Sequence, residues 1–153
     1  MPVPVPFRCL LLSALCVAIS SAVAAAEPAT RLNPNTATEA ELQALPQLDA
    51  AVAAHILASR PFESIGDFDE ALSDHLDEDA REALYEFLFV PISLNTASRD
   101  DIMLVPGMSA RMAYEFEEYR PYDSLAQFDR EIGKYVDDEE VARLRSYVTL
   151  GED

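Results

Sequence analysis

One self-match governs what this 153-residue chain can become. Asn35-Thr36-Ala37 returns sixty residues later as Asn95-Thr96-Ala97, and the same offset aligns Pro46 with Pro106, Ala53 with Ala113, and Arg60-Pro61 with Arg120-Pro121. It continues through Ser64 and Ser124, Phe68-Asp69 and Phe128-Asp129, and Leu84 and Leu144. Conservative pairs keep step, among them Leu42 with Ile102, Ile56 with Phe116, Phe62 with Tyr122, and Phe87 with Tyr147. A gapless register of this length implies one small unit present twice. The expected units are residues 32–90 and 91–150, with a short acidic tail at 151–153.

Each unit reads as four short helices, so the expected fold is all-α. Thr38 and Ser98 each precede a helical run with an acid three residues on, Glu41 and Asp101. That is the capping-box spacing, which satisfies free amides at a helix start. The first helix is therefore expected near 39–45 and 99–105, ended by Pro46 and Pro106. A second begins near Ala50 and Ala110 and ends by Arg60 and Arg120, because a residue before proline is pushed out of the helical region. A third covers Ile65 to Leu72 and Leu125 to Ile132, capped by Ser64 and Ser124. The fourth starts in the acidic stretches at Asp77 and Asp137 and runs through Leu84, Phe87 and Leu88, or Leu144, Tyr147 and Val148. Strand signals are nearly absent, and Phe89-Val90-Pro91-Ile92 reads as a linker between the units.

Before the repeats, Cys9 to Ala26 is an unbroken run of apolar and small residues behind a single basic side chain, Arg8. Residues 1–26 are expected to be a signal peptide, cleaved after Ala26 or Ala24, followed by a short lead-in at 27–31. The protein would then be periplasmic or secreted, without a stable membrane span after cleavage. Both cysteines, Cys9 and Cys16, fall in this segment, leaving the mature chain without thiol chemistry. Charge narrows the function further: 28 acids against 11 bases give a formal net charge of −17. The average field repels polyanions. The bases are unevenly placed, three in residues 27–90 and seven in 91–153, against fourteen acids in each stretch. Only four glycines are present, too few for a phosphate-binding Gly-rich fingerprint.

The segments LNPNTATEAELQALP and AAVAAHILASRPFESIGDF, and again SLNTASRDDIMLVPGM and SARMAYEFEEYRPYDSLAQF, resemble the tandem helix-hairpin-helix domain of ComEA-type competence DNA receptors. The resemblance covers nearly everything after residue 31. It implies two tandem helix-hairpin-helix (SAM-like) domains of four helices each. DNA-binding members use a P-G-[IVL]-G hairpin, whose backbone amides approach a phosphate at the positive end of a helix dipole. Other exported relatives of the fold contact only proteins, so fold does not decide function.

Of four hairpins expected here, the first reads Pro46-Gln47-Leu48-Asp49, with both glycines gone and a carboxylate at the helix start. The second and fourth crowd acids at Asp77-Glu78-Asp79 and Asp137-Asp138-Glu139, which suits helix capping and excludes phosphate. The third, Pro106-Gly107-Met108-Ser109, keeps one glycine and is followed by Arg111. Gly107, Met108, Ser109 and Arg111 are the candidate nucleic-acid-binding residues. Tyr114 and Tyr119, where the first unit has Ala54 and Ser59, are candidate protein-contact residues. His55 and His75 read as an ordinary helix residue and a packed hairpin residue, not as metal ligands. No catalytic residue, metal or cofactor is expected. The leading expectation is a non-enzymatic module that contacts an unidentified envelope protein. The second is weak, sequence-independent binding of duplex DNA through the 106–111 hairpin.

Overall fold

A computed structural model describes residues 31–151. The expected signal peptide with its cysteines, most of the 27–31 lead-in and the last two residues of the acidic tail lie outside the described residues. The described chain is mostly helical: α1 (Glu39–Gln43), α2 (Ala50–Ser59), α3 (Ile65–Ser73), α4 (Glu78–Tyr85), α5 (Arg99–Met103), α6 (Ala110–Glu118), α7 (Leu125–Ile132) and α8 (Asp138–Arg145). Two short strands, β1 (Ile92–Ser93) and β2 (Val148–Thr149), accompany them. No helix among the described residues is long and apolar enough to cross a membrane.

Every helix starts on a side chain that accepts a hydrogen bond from the amide three residues ahead. The caps are Thr38, Asp49, Ser64 and Asp77, then Ser98, Ser109, Ser124 and Asp137. These are the residue types whose short polar side chains reach a free N-terminal amide. Thr38 with Glu41, and Ser98 with Asp101, form complete capping boxes. The first helices are two residues shorter than expected, ending at Gln43 and Met103, because the chain tightens before proline: Leu45 N donates to the Leu42 carbonyl and Val105 N to that of Ile102.

The fourth helices also stop early. α4 ends at Tyr85, and the Leu84 carbonyl accepts from the amides of both Phe87 and Leu88 in the turn that follows. That turn aims Leu88 at Leu32 in a parallel bridge, with Leu32 N donating to the Phe87 carbonyl at 2.8 Å and Phe89 N to the Leu32 carbonyl at 2.9 Å. The later counterpart is the parallel pair of β1 and β2, Ile92 opposite Val148. The linker expectation for 89–92 is therefore corrected at its end, since Ile92 opens a strand. Its amide donates to the Tyr147 carbonyl and that of Leu94 to the Thr149 carbonyl, partners that local sequence does not reveal.

The most recognisable motif residues bind loops together. Asn35 donates from Nδ2 to the Phe62 carbonyl and accepts from the Phe62 amide, both at 2.8 Å. Asn95 makes the same two bonds with Tyr122. The Arg60 and Arg120 guanidinium groups hold the carbonyls of Ala37 and Ala97. Each half thus ties its opening loop to the turn after its second helix, satisfying backbone groups that would otherwise be buried without partners.

The buried apolar residues form one continuous cluster through both halves. At the junction, Tyr147 sits edge-on to Phe89 with ring centroids 4.9 Å apart, and the Arg31 guanidinium lies 3.3 Å over the Tyr147 ring. Gly66 N in α3 donates to Asp101 Oδ1 in α5 at 3.0 Å. The expected equivalence of Phe87 and Tyr147 fails here. Tyr147 is fully buried, while Phe87 is 42% exposed.

Candidate functional site

Because α6 begins directly after the third hairpin, helix capping decides how its backbone is presented. Val105 and Pro106 are buried and anchor the turn, and the Val105 carbonyl accepts from Met108 N at 2.9 Å. Gly107 adopts φ +72°, a left-handed conformation that side-chain-bearing residues rarely take. Ser109 Oγ then accepts from Met112 N at 3.1 Å. In the first hairpin Asp49 does the same for Val52 N at 2.8 Å, with Leu48 buried beside it. Asp77 and Asp137 cap α4 and α8 by bonds of 2.9 Å to the amides of Ala80 and Glu140.

The third hairpin differs in its neighbours. A groove of about 360 Å³ separates it from α4, lined on one side by Met103, Leu104, Val105 and Met108, and on the other by Glu78, Glu82 and Tyr85. A shallower continuation runs past Pro106 and Gly107 along Asp79, Glu82 and Glu86. Arg81, which also borders the groove, is directed at Asp69 Oδ1 at 2.8 Å. The Asp69 carboxylate also accepts from the Tyr85 hydroxyl at 2.5 Å, and burial together with that carboxylate pushes the Tyr85 phenol far above its ordinary range. The glycine of the candidate phosphate hairpin therefore borders a groove lined by carboxylates, with the Arg143 guanidinium 3.7 Å from where its Cβ would stand.

Arg143 closes the opposite side, donating to the Pro106 carbonyl at 3.0 Å while both arms of its guanidinium engage Glu140 at 2.7 Å. Hydrogen bonding to Arg143 lowers the Glu140 carboxyl from its ordinary value. Arg143 did not stand out in the sequence, since the 37 residues that separate it from Pro106 are bridged only in the fold.

The candidate residues divide between two faces. Gly107 and Met108 border the acidic groove. Ser109 and Arg111 turn to a second hollow shared with Met112, Glu115, Lys134 and Tyr135. Arg111 is exposed, makes no ion pair among the described residues, and lies 5.9 Å from the Tyr135 ring. Lys134 is paired with Glu131 and sits 5.1 Å from the Tyr119 ring. Tyr114 is 51% exposed and donates to Glu118, whose hydrogen bond and charge raise the phenol above its ordinary value. Tyr119, the other candidate contact residue, is half-buried against the core, with its hydroxyl 2.8 Å from that of Tyr135. Tyr135 was not singled out in sequence, although its exposed ring completes this aromatic group.

The fold also brings together the two histidines, His55 of α2 and His75 of the turn after α3. Their ring centroids lie 4.3 Å apart, and His55 Nε2 is 3.0 Å from the Ala71 carbonyl. Among the described residues no group of three or more His, Cys, Asp or Glu side chains forms a metal-binding arrangement. Comparison with protein-family models, with curated proteins and with solved structures finds no match to this chain.

Proposed function

We propose that this protein is an exported, non-enzymatic interaction module made of two tandem helix-hairpin-helix domains, and that it holds a protein partner in the cell envelope. The domain reading is supported by the helix starts, at Glu39, Ala50, Ile65 and Glu78 and again at Arg99, Ala110, Leu125 and Asp138, each sixty residues on. The two parallel bridges, Leu32 with Leu88 and Ile92 with Val148, follow the same offset.

The functional reading rests on one observation: the one hairpin of the four whose glycine takes a left-handed conformation borders a groove walled by Glu78 and Glu82. A phosphodiester entering there would be repelled by these carboxylates and would lack the Lys and Arg contacts that carry duplex affinity. A protein partner that presents cations meets attraction instead. At roughly 0.15 M salt, where exposed charges act over about 8 Å, the mature protein should show no saturable retention of duplex DNA in a mobility-shift titration. Tight retention that both Ser109→Asp and Arg111→Glu abolish would sink the interaction-module reading.

Arg111, exposed beside Ser109 and Lys134 and without an ion pair among the described residues, favours a second reading, weak duplex binding on the other face of the hairpin. Glu115 in the same hollow opposes it.

A further inference from the structure

The groove beside the third hairpin has two unlike walls. One is apolar, with Met103 41% exposed and Leu104 and Met108 half-buried. Methionine adapts its shape to what lies against it, which suits a contact surface more than a rigid core. The other wall is the exposed side of α4, where Glu78, Glu82 and Glu86 recur every fourth residue and Asp79 stands between them. Residues four apart on a helix lie on one face. None of these four carboxylates makes an ion pair among the described residues, and Arg81, the cation of α4, is committed to Asp69. The groove therefore offers exposed apolar surface bordered by the carboxylates of Glu78, Asp79 and Glu82, and continues to Glu86, which accepts from the Tyr147 hydroxyl at 3.4 Å in the field of Arg31 and Arg143.

We propose, building on the interaction-module reading above, that this groove docks a basic amphipathic segment of a protein partner. Its Lys or Arg side chains run along Glu78, Asp79, Glu82 and Glu86, and its apolar side chains rest on Met103, Leu104 and Met108. The long apolar stems of Lys and Arg let one segment serve both walls, covering methionine with methylene groups while the charged heads reach α4. At Gly107 the missing side chain leaves the hairpin's rim low, with the Arg143 guanidinium 3.7 Å from where a Cβ would stand, so the partner's cations are directed to the α4 wall. The acidic row sets the partner's sign and steers its approach, and the apolar strip supplies retention once water is expelled.

The test uses mature protein carrying methyl-labelled methionine and an 18-residue amphipathic peptide of Lys and Leu, with a Glu-for-Lys version as its opposite. At 0.15 M salt the Lys peptide should bind saturably and the Glu peptide should not. The Met103 and Met108 methyl resonances should move while that of Met112, on the other face of the hairpin, stays in place. Glu82→Lys should weaken binding at least tenfold. Glu139→Lys, the same charge change on exposed α8, should weaken it less than threefold. The groove assignment is overturned by an absence of saturable binding, by binding that leaves Met103 and Met108 unmoved, or by equal losses in the two variants. Binding of the peptide away from the groove would leave the interaction-module reading standing. Saturable binding of a 20-base-pair duplex in a parallel titration would overturn that reading itself.

Discussion

Asp49 and Ser109 hold equivalent places at the starts of α2 and α6, and each accepts a hydrogen bond from the amide three residues on. The two hairpins nevertheless meet different surroundings. The turn at 106–108 lies across from α4 and forms a groove with it, and the groove's acids belong to the first half of the described chain. The groove is thus a surface that neither half carries alone. Capping and loop chemistry are shared by the halves, while the candidate binding surface arises where the second half meets the first.

Tyr147 and Phe87 break this comparison most strongly. They are sixty residues apart and similar in size, yet Tyr147 is buried at the junction and Phe87 faces outward. Tyr147→Ala should cost about 3–5 kcal/mol, the range for emptying a buried aromatic site. Phe87→Ala should cost less, roughly 1–2 kcal/mol, since 42% of its surface already meets water in the folded state. Urea denaturation read by far-ultraviolet circular dichroism measures both. Equal losses would mean that the two rings are packed alike. The same junction gives an alkaline signature. Burial pushes the Tyr147 phenol up to about 12. A raised folded value contributes stability that is complete below the ordinary tyrosine value of about 10 and is lost as pH rises through the folded value. The urea midpoint should therefore fall between pH 10 and 12, and Tyr147→Phe should flatten that fall.

A smaller effect separates the first and third hairpins. Gly107→Ala forces a side chain into a left-handed conformation and should cost roughly 1–2 kcal/mol. Gln47→Ala, at the matching place in the first hairpin, has no positive φ to oppose it and should change stability by under about 0.5 kcal/mol. Thermal melts of the two variants would decide the point. A cost for Gln47→Ala equal to that for Gly107→Ala would show that the turns are strained alike.

Local rules made the helices legible. Thr38, Ser64, Ser98 and Ser124 announce their helices because a cap needs only a side chain and an amide three residues away. The ends of α4 and α8 were less legible, since they are set by bridges to Leu32 and Ile92, more than fifty residues back in the chain. Periodicity gave Phe87 and Tyr147 one role, and only the approach of Phe89 and Arg31 separates them. The third hairpin stood out through its glycine, whereas its acidic wall did not. Glu78, Asp79, Glu82 and Glu86 read as a solvated helix face until the fold sets Gly107 opposite. The conserved-looking pairs Asn35 with Asn95 and Arg60 with Arg120 are explained by loop clamps, so resemblance at those positions carries information about architecture and none about a ligand.

The smallest contrast lies between the capping boxes of α1 and α5. Asp101 serves its own helix and also accepts from Gly66 N across the junction, whereas Glu41 serves only α1 and its cap, Thr38. Asp101→Asn should therefore cost roughly 1 kcal/mol at pH 7, with the larger part arising from the weakened Gly66 bond. Glu41→Gln should cost less, because Gln can still accept the Thr38 amide in a capping box. What Gln removes is the proton linkage. Hydrogen bonding to the Thr38 backbone and hydroxyl holds the Glu41 carboxyl below its ordinary value of 4.5. A depressed folded value gives stability that is present above the unfolded value and disappears as pH falls through the folded one. The advantage of the natural chain over Glu41→Gln should be steady from pH 7 to 5 and vanish on further acidification, as urea midpoints at each pH would record. A gap that stays constant into acid would assign the box's contribution to shape alone. An equal cost for the two substitutions at pH 7 would remove Asp101 from the junction.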